Sequence, residues 1–176
     1  PALTMRLVSD EHRMGTLELL LTAPVRDSEL IIGKWLGAFL FILSIIVLSL
    51  LYPLILNNLV DPGIDQLLML SSYLGIILLS AAFLGLGVGF SAVFSNQIAA
   101  FFVTLVTFVF LWWLVSFPTN FVSVGADFFT YMSMQTHFNE TLNRGVIMLG
   151  DLVYFISLTV LGLFIGTTAV EMRRWR

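Results

Sequence analysis

The Gly33-Lys34 pair is the one place in the sequence where nucleotide chemistry could be sought. A phosphate-binding P-loop has the pattern G-x-x-x-x-G-K-[ST], in which backbone amides and the lysine hold the phosphates. Here Trp35 follows the lysine, and Ser28 stands where the first glycine of the pattern belongs. The sequence lacks this means of binding ATP, so energy from ATP would have to come through a partner.

Hydrolytic and metal chemistry have equally few candidates. The chain has two histidines, His12 and His137, and no cysteine. A hydrolase needs its base within hydrogen-bond reach of its nucleophile, but the topology derived below places these histidines on opposite sides of a membrane. The sequence also contains no H-E-x-x-H motif. We predict no catalytic residue, no metal and no cofactor, so the chain is not an enzyme by itself.

The composition indicates a protein dissolved in lipid. Of 176 residues, 59 % are apolar and only 11 % are charged, against roughly 25 % charged in soluble proteins. So few charges cannot cover the surface of a water-soluble globule. The net charge of −3 argues against nucleic acid as a partner, because binding it requires a basic surface. We predict an all-α, polytopic helical membrane protein.

Long uncharged stretches predict four membrane-spanning helices. Each stretch supplies the roughly 20 apolar residues that a helix needs to cross about 30 Å of hydrocarbon. The longest one, between Asp65 and Asp127, is divided by the polar turn Ser95-Asn96-Gln97. The predicted spans are 33–56, 67–94, 98–117 and 149–170.

The basic residues predict the orientation in the membrane. Except for Arg144, they all precede the first span, stand at its start or follow the last span. Four crossings return the chain to its starting side, and the positive-inside rule then puts both ends of this sequence in the cytoplasm.

The interiors of the spans are expected to hold no ionisable side chain. A carrier driven by protons or ions usually keeps one near the midplane, despite an insertion cost of roughly 2.5–3.5 kcal/mol. Its absence favours a permease whose helices are moved from outside, while a channel or carrier that works alone remains an alternative.

The segment 6–32 precedes the first span and carries 8 of the chain's charged side chains, and Lys34 at the start of the span adds a ninth. Its part 15–24 is too short to span the bilayer and too amphipathic to lie in lipid, so we predict a helix flat on the cytoplasmic surface. This helix is either a handle for another protein or an elbow that redirects the chain. The apolar face holds Leu17, Leu20, Leu21 and Pro24, and the polar face holds Glu18 and Thr22.

A family resemblance is carried most specifically by G-T-L-E-L-L-L-T-A-P-V at 15–25, which is similar to the signature of ABC-2-type permease subunits. The similarity extends over the whole chain and is strongest to the gliding-motility-associated subgroup, which is related to permeases for multicopper-enzyme maturation. The sequence departs from the pattern at His12-Arg13-Met14. Further matches are Asp10-Glu11, Gly33-Lys34, Asn96-Gln97, His137-Phe138 and Arg144-Gly145-Val146-Ile147.

The resemblance implies a particular assembly. Such permeases have six spans, form homo- or heterodimers with a second permease subunit, and bind cytoplasmic ABC ATPase subunits; an accessory membrane protein is a further partner. The four spans would be the third to sixth of the family, with two missing before Pro1, in a bacterial inner (plasma) membrane. The implied ATPase-coupling residues are Glu11, Arg13, Gly15, Thr16, Leu17, Glu18, Leu20, Leu21, Thr22, Pro24 and Arg26.

Three glycine pairs predict close helix contacts, and one proline predicts a helix bend. Small residues four apart allow close helix contacts, which could form a sliding or dimer interface or ordinary packing within the chain. Pro53 removes a backbone donor and clashes with the carbonyl of Ser49, so we predict a bend that is a hinge or a static kink. The glycine pairs are Gly33/Gly37, Gly85/Gly89 and Gly162/Gly166.

The outer segment 118–148 is apolar for a loop, and Gly125 and Gln135-Thr136 divide it into short helices. We expect a helical hairpin that dips into the outer leaflet or caps a cavity, either as a gate or as a passive lid. The chain as a whole is predicted to be the permease subunit of an ATP-driven ABC-2 transporter, with export implied by the resemblance. The alternative is a non-transporting scaffold or assembly factor that anchors an ATPase complex.

Overall fold

The computed structural model describes residues 1–14, 26–120 and 126–174. Within these ranges the chain is helical and contains no strand, which confirms the predicted all-α class. Short 3₁₀ and π turns at Leu114–Asn120, His137–Thr141 and Leu142–Arg144 connect the later helices. The α-helices are α1 (Ser9–Arg13), α2 (Asp27–Ser49), α3 (Leu51–Leu59), α4 (Gln66–Val93), α5 (Gln97–Trp112), α6 (Ala126–Met132), α7 (Met134–Thr136) and α8 (Leu149–Arg174).

Four helical segments are long and apolar enough to cross a membrane, which confirms a polytopic protein. The long uncharged stretch divides between α4 and α5, where the Asn96 side chain accepts a hydrogen bond from the Ile98 amide at 2.9 Å. This bond caps the first turn of α5 and lets the chain reverse. The segments are Asp27–Leu59, Gln66–Val93, Gln97–Phe117 and Leu149–Arg173.

The bundle has two ends, named here after one residue at each. At the Lys34 end, the start of α2 lies beside the N-terminal segment, and Arg173 of α8 reaches the last turn of α4. At the His137 end, the turn around Gly145 lies against Leu68 of α4. The described N- and C-terminal parts of the chain therefore meet at the same end.

The pairing of α4 with α8 is the most extensive in the bundle, and glycines bring their backbones together. A Cβ added at Gly85 would lie 2.9 Å from the Thr159 carbonyl oxygen, and one at Gly166 would lie 3.3 Å from the Gly89 Cα. A Cβ at Gly89 would overlap the Gly162 carbonyl. Any larger side chain at these crossings would push the two helices apart.

Helix α2 contributes little to the core. Half of its large apolar side chains are exposed, and a Cβ added at Gly33 or Gly37 would meet nothing within 4 Å. The glycine pairs thus differ in surroundings: two pairs lie at a helix crossing, whereas Gly33 and Gly37 face away from the described part of the chain.

The helix breaks next to Pro53, between α2 and α3. Because proline has no N–H, the Ser49 carbonyl loses its usual helical donor. The Tyr73 hydroxyl of α4 donates to that carbonyl at 3.1 Å, and Leu50 bonds back to Val47 in a tighter turn. A hinge at Pro53 stays a prediction.

The segment after α5 folds into short helices, with residues 121–125 outside the described ranges. It packs on the start of α4, where a Cβ at Gly75 would lie 3.1 Å from both Phe138 and Leu142. One apolar cluster of this half includes Leu86, Phe108, Met134, Leu142 and Phe155.

Candidate functional site

The predicted coupling segment is only partly described. Residues 15–25 lie outside the described ranges, so the placement of Gly15, Thr16, Leu17, Glu18, Leu20, Leu21, Thr22 and Pro24 stays a prediction. The structure does describe the two flanks that enter and leave this segment: residues 1–14 and the start of α2. We call them the first flank and the second flank.

The first flank is attached to α4 through Ser91. The Ser91 hydroxyl accepts hydrogen bonds from the amides of Val8 and Ser9 at 3.1 Å each, and it donates to the Met5 carbonyl at 3.1 Å. A hydroxyl has one proton and two acceptor sites, so all its capacity is used. Ser91 is fully buried, and one helical turn away Thr4 packs directly on Gly87.

The second flank is tied to the first by Lys34. Its ammonium nitrogen lies 2.6 Å from Glu11 Oε1 and donates to the Leu7 carbonyl at 2.5 Å. The two charged side chains are 18 % and 25 % exposed. Glu11, predicted to face a partner, is therefore bonded within the chain.

Two further residues predicted to contact the ATPase, Arg26 and Arg13, lie on the flanks. The amide of Arg26 donates to the Glu29 carboxylate at 3.0 Å, one residue before α2, and Arg26 is exposed. Arg13 ends α1, and its side chain lies outside what the structure describes.

An apolar cluster joins both flanks to the spans. Val8 of the first flank and Ile31 of the second pack with Val88 of α4 and Val170 of α8, all at most 1 % exposed. At the rim, Arg173 donates to the Val93 carbonyl at 2.7 Å. The chain thus enters and leaves segment 15–25 from one packed unit that joins α2, α4 and α8.

A second polar cluster, absent from the sequence predictions, lies at the His137 end. His137 Nδ1 is 2.7 Å from Asp151 Oδ1, and Nε2 is 2.8 Å from the Tyr131 carbonyl oxygen. The side chains of His137 and Asp151 are 8 % and 3 % exposed. Asp151 is buried in the first turn of α8, at the start of a predicted span, and the expectation of span interiors without ionisable groups stays a prediction.

The hydrogen-bond partners of His137 fix the protons of this pair. A carbonyl oxygen can only accept, so Nε2 must carry a proton. The short contact between Nδ1 and Oδ1 needs a second proton between them. The pair therefore holds two protons and no net charge, whichever atom of the contact carries the second one.

A sequence signal for this pair existed. His137 and Asp151 are separated by the Gly145 turn, with φ of 83°, and Asp151 is an acid at the start of a long apolar helix. An ionisable residue inside a span is by default a functional candidate. The pairing itself depends on how the outer segment folds back, which no local pattern reveals.

The described ranges contain four helices that are long and apolar enough to span a membrane. The sequence matches the family described as ABC-2 family transporter protein over residues 2–172. The chain belongs to this family: it is a multi-pass membrane protein of the ABC transporter permease type, whose partner is an ABC ATPase component. No curated protein and no solved structure matches the chain.

Proposed function

We propose that this chain is the permease subunit of an ATP-driven ABC-2 exporter in a bacterial inner membrane. It works as a dimer with a second permease subunit, and cytoplasmic ATPases drive it through segment 15–24. Family membership supports the class of protein. The bonding of both flanks to one unit is the single observation that carries the mechanism.

Force on segment 15–24 has a short route to the spans. ATP binding closes the ATPases and displaces the segment; Leu17, Leu20 and Leu21 seat it, while Glu18 faces the partner. The displacement reaches α4 through Ser91 and α2 through Lys34. Because packed interiors deform little, the helices move as rigid bodies rather than bending locally.

The test is co-purification with the partner ATPase and stimulation of its ATP hydrolysis. Glu18→Arg reverses a charge on the predicted polar face, and Gly15→Trp adds bulk where the segment begins. We expect each to lower ATPase binding by about tenfold or more, as for truncation of an interfacial charge pair. Glu140→Arg, the same charge reversal at an exposed site of the His137 end, is the control and leaves binding unchanged.

Undiminished binding and stimulation in both variants would contradict the proposal. A scaffold that only anchors the ATPase would lose binding in the same variants, so transport must be measured separately. ATP-dependent uptake of substrate into proteoliposomes that contain permease and ATPase separates a transporter from a scaffold.

A further inference from the structure

We propose that a groove between α4 and α5, closed by α7 at the His137 end, binds a flat, uncharged aromatic molecule with a carbonyl oxygen, of the aromatic ketone class. The groove has a volume of about 630 Å³. Its wall includes Phe83 of α4, Phe108 and Trp112 of α5, the adjoining Trp113 and, from α7, Gln135. This site is separate from segment 15–24, and the proposal does not depend on the function proposed above.

Aromatic side chains form much of the groove wall. The rings of Phe83 and Phe108 are nearly parallel, with centroids 4.0 Å apart and an angle of 17° between their planes. Phe108 is buried in an apolar cluster, and Phe83 and Trp112 pack against that cluster, so the fold holds these rings in place. Aromatic rings favour offset-stacked or edge-to-face contacts with a further ring. A planar aromatic ligand makes such contacts, whereas a saturated alkyl chain does not.

The polar groups of the wall favour a ligand that accepts hydrogen bonds. Within the part of the chain that the structure describes, the side chains of Gln135, Trp112 and Trp113 make no hydrogen bond. Gln135 is only partly buried, and its amide nitrogen and oxygen are not enclosed by the protein, so a bound molecule reaches them. An indole N–H can only donate. Donors therefore outnumber acceptors among these three side chains, and a ligand carbonyl oxygen supplies the missing acceptor.

The absence of charge and the volume narrow the ligand class further. Among the described residues, no charged side chain and no histidine lines the groove. A charged ligand would lose hydration there without gaining an ion pair, which is costly. Ligand pockets usually fall between about 300 and 1,000 Å³, so this groove accommodates an uncharged ketone of two or three rings.

The proposal is tested with the whole chain in lipid nanodiscs, so that lipid competes for the groove. The probe is tritiated fluorenone, and its binding is measured by equilibrium dialysis with protein-free nanodiscs subtracted. Two competitors each change one property: fluorene keeps the flat rings without the carbonyl oxygen, and dicyclohexyl ketone keeps the carbonyl without flat rings. Fluorenone is expected to bind about fivefold to tenfold more tightly than either competitor, because only it combines both contacts.

Each contrary result overturns a stated part of the proposal. Fluorenone binding no greater than in protein-free nanodiscs would show that lipid holds the groove, and the proposal would be wrong. Equal binding of fluorene would show that water or lipid already satisfies Gln135, which would overturn the selection for a carbonyl oxygen. Equal binding of dicyclohexyl ketone would overturn the selection for a flat aromatic ligand.

Single substitutions locate the binding. Gln135→Leu removes the donor at similar side-chain size, so fluorenone should bind about fivefold to tenfold more weakly while fluorene binding is unchanged. Phe83→Leu removes one ring and should weaken binding of both molecules by about threefold to tenfold, which decides the matter if Gln135→Leu does not fold. Gln97→Leu makes the same change at the Lys34 end and is the control that leaves binding unaltered. Unaltered fluorenone binding in both Gln135→Leu and Phe83→Leu would place the ligand elsewhere and overturn the proposal.

Discussion

At each end of the bundle, an acid–base pair among the described residues ties a non-spanning segment to a span. Lys34 and Glu11 remain 18 % and 25 % exposed, whereas His137 and Asp151 are only 8 % and 3 % exposed. A partly exposed pair exchanges its partners for water more easily than a fully buried one. The pair at the Lys34 end is therefore the more easily broken of the two.

The contacts around the two acid–base pairs also differ between the Lys34 end and the His137 end. At the Lys34 end the first flank is bonded to α4 through the Ser91 hydroxyl and packs in a cluster of apolar side chains. At the His137 end the histidine ring stacks on Tyr154, with ring centroids 4.2 Å apart, and the Tyr154 hydroxyl donates to the Met132 carbonyl at 2.6 Å. Both bonds and ring contacts hold the outer segment on α8.

Breaking the buried pair is expected to have the largest effect. Asp151→Ala leaves His137 with a proton facing no acceptor, and we expect the free energy of unfolding to fall by about 3–5 kcal/mol. Thermal unfolding in detergent measures this loss. Replacing both residues by leucine should recover most of it, because a buried pair exchanged for apolar residues is often neutral. A loss below about 1 kcal/mol, as is typical of surface sites, would show that the buried pair stabilises the fold no more than the partly exposed one.

Removing the Ser91 hydroxyl ranks second. Ser91→Ala takes the acceptor from two buried amides, those of Val8 and Ser9, and should cost about 1–3 kcal/mol. It should also lower ATPase stimulation while ATPase binding persists, since the first flank no longer holds α4. Ser44→Ala is the matched control, because Ser44 is exposed and bonds only within its own helix. Equal effects of the two variants would disprove the anchoring role.

The partly exposed pair should give the smallest effect. Lys34→Gln removes the ion pair with Glu11, and we expect about 1 kcal/mol of lost stability, near the upper end for a pair that solvent still reaches. The loss should shrink further in about 1 M salt, where the Debye length falls to about 3 Å. Unfolding midpoints at low and high salt, with Arg144→Gln as an exposed control, check this. A large loss independent of salt would show that the Lys34 end is as rigid as the other.

The sequence was sufficient for the spans because each one is a local property. Apolar length and the polar break at Asn96 need no knowledge of the rest of the fold, and all four segments are present. The His137–Asp151 pair and the role of Ser91 depend on which helices meet and in what register. Ser91 is a small polar residue among glycines and alanines, and its sequence context does not distinguish a packing residue from an anchor.

The glycine pairs show the same limit of local patterns. The spacing of four residues is identical at Gly37, Gly89 and Gly166, yet the first has empty space around it and the other two lie at the crossing of α4 and α8. Spacing predicts that a close approach is allowed; only the fold decides whether a helix occupies that space.

Segment 15–24 is proposed to lie on the cytoplasmic surface, where an ATPase moves it. Because the chain has no cysteine, Glu18→Cys and Asp61→Cys each provide a single labelling site for a membrane-impermeant maleimide. In intact cells we expect labelling at position 61 and none at position 18. Opening the inner membrane should expose position 18, and the bound ATPase should protect it. Labelling of position 18 from outside, or no labelling after the membrane is opened in the absence of the ATPase, would contradict a cytoplasmic position of segment 15–24.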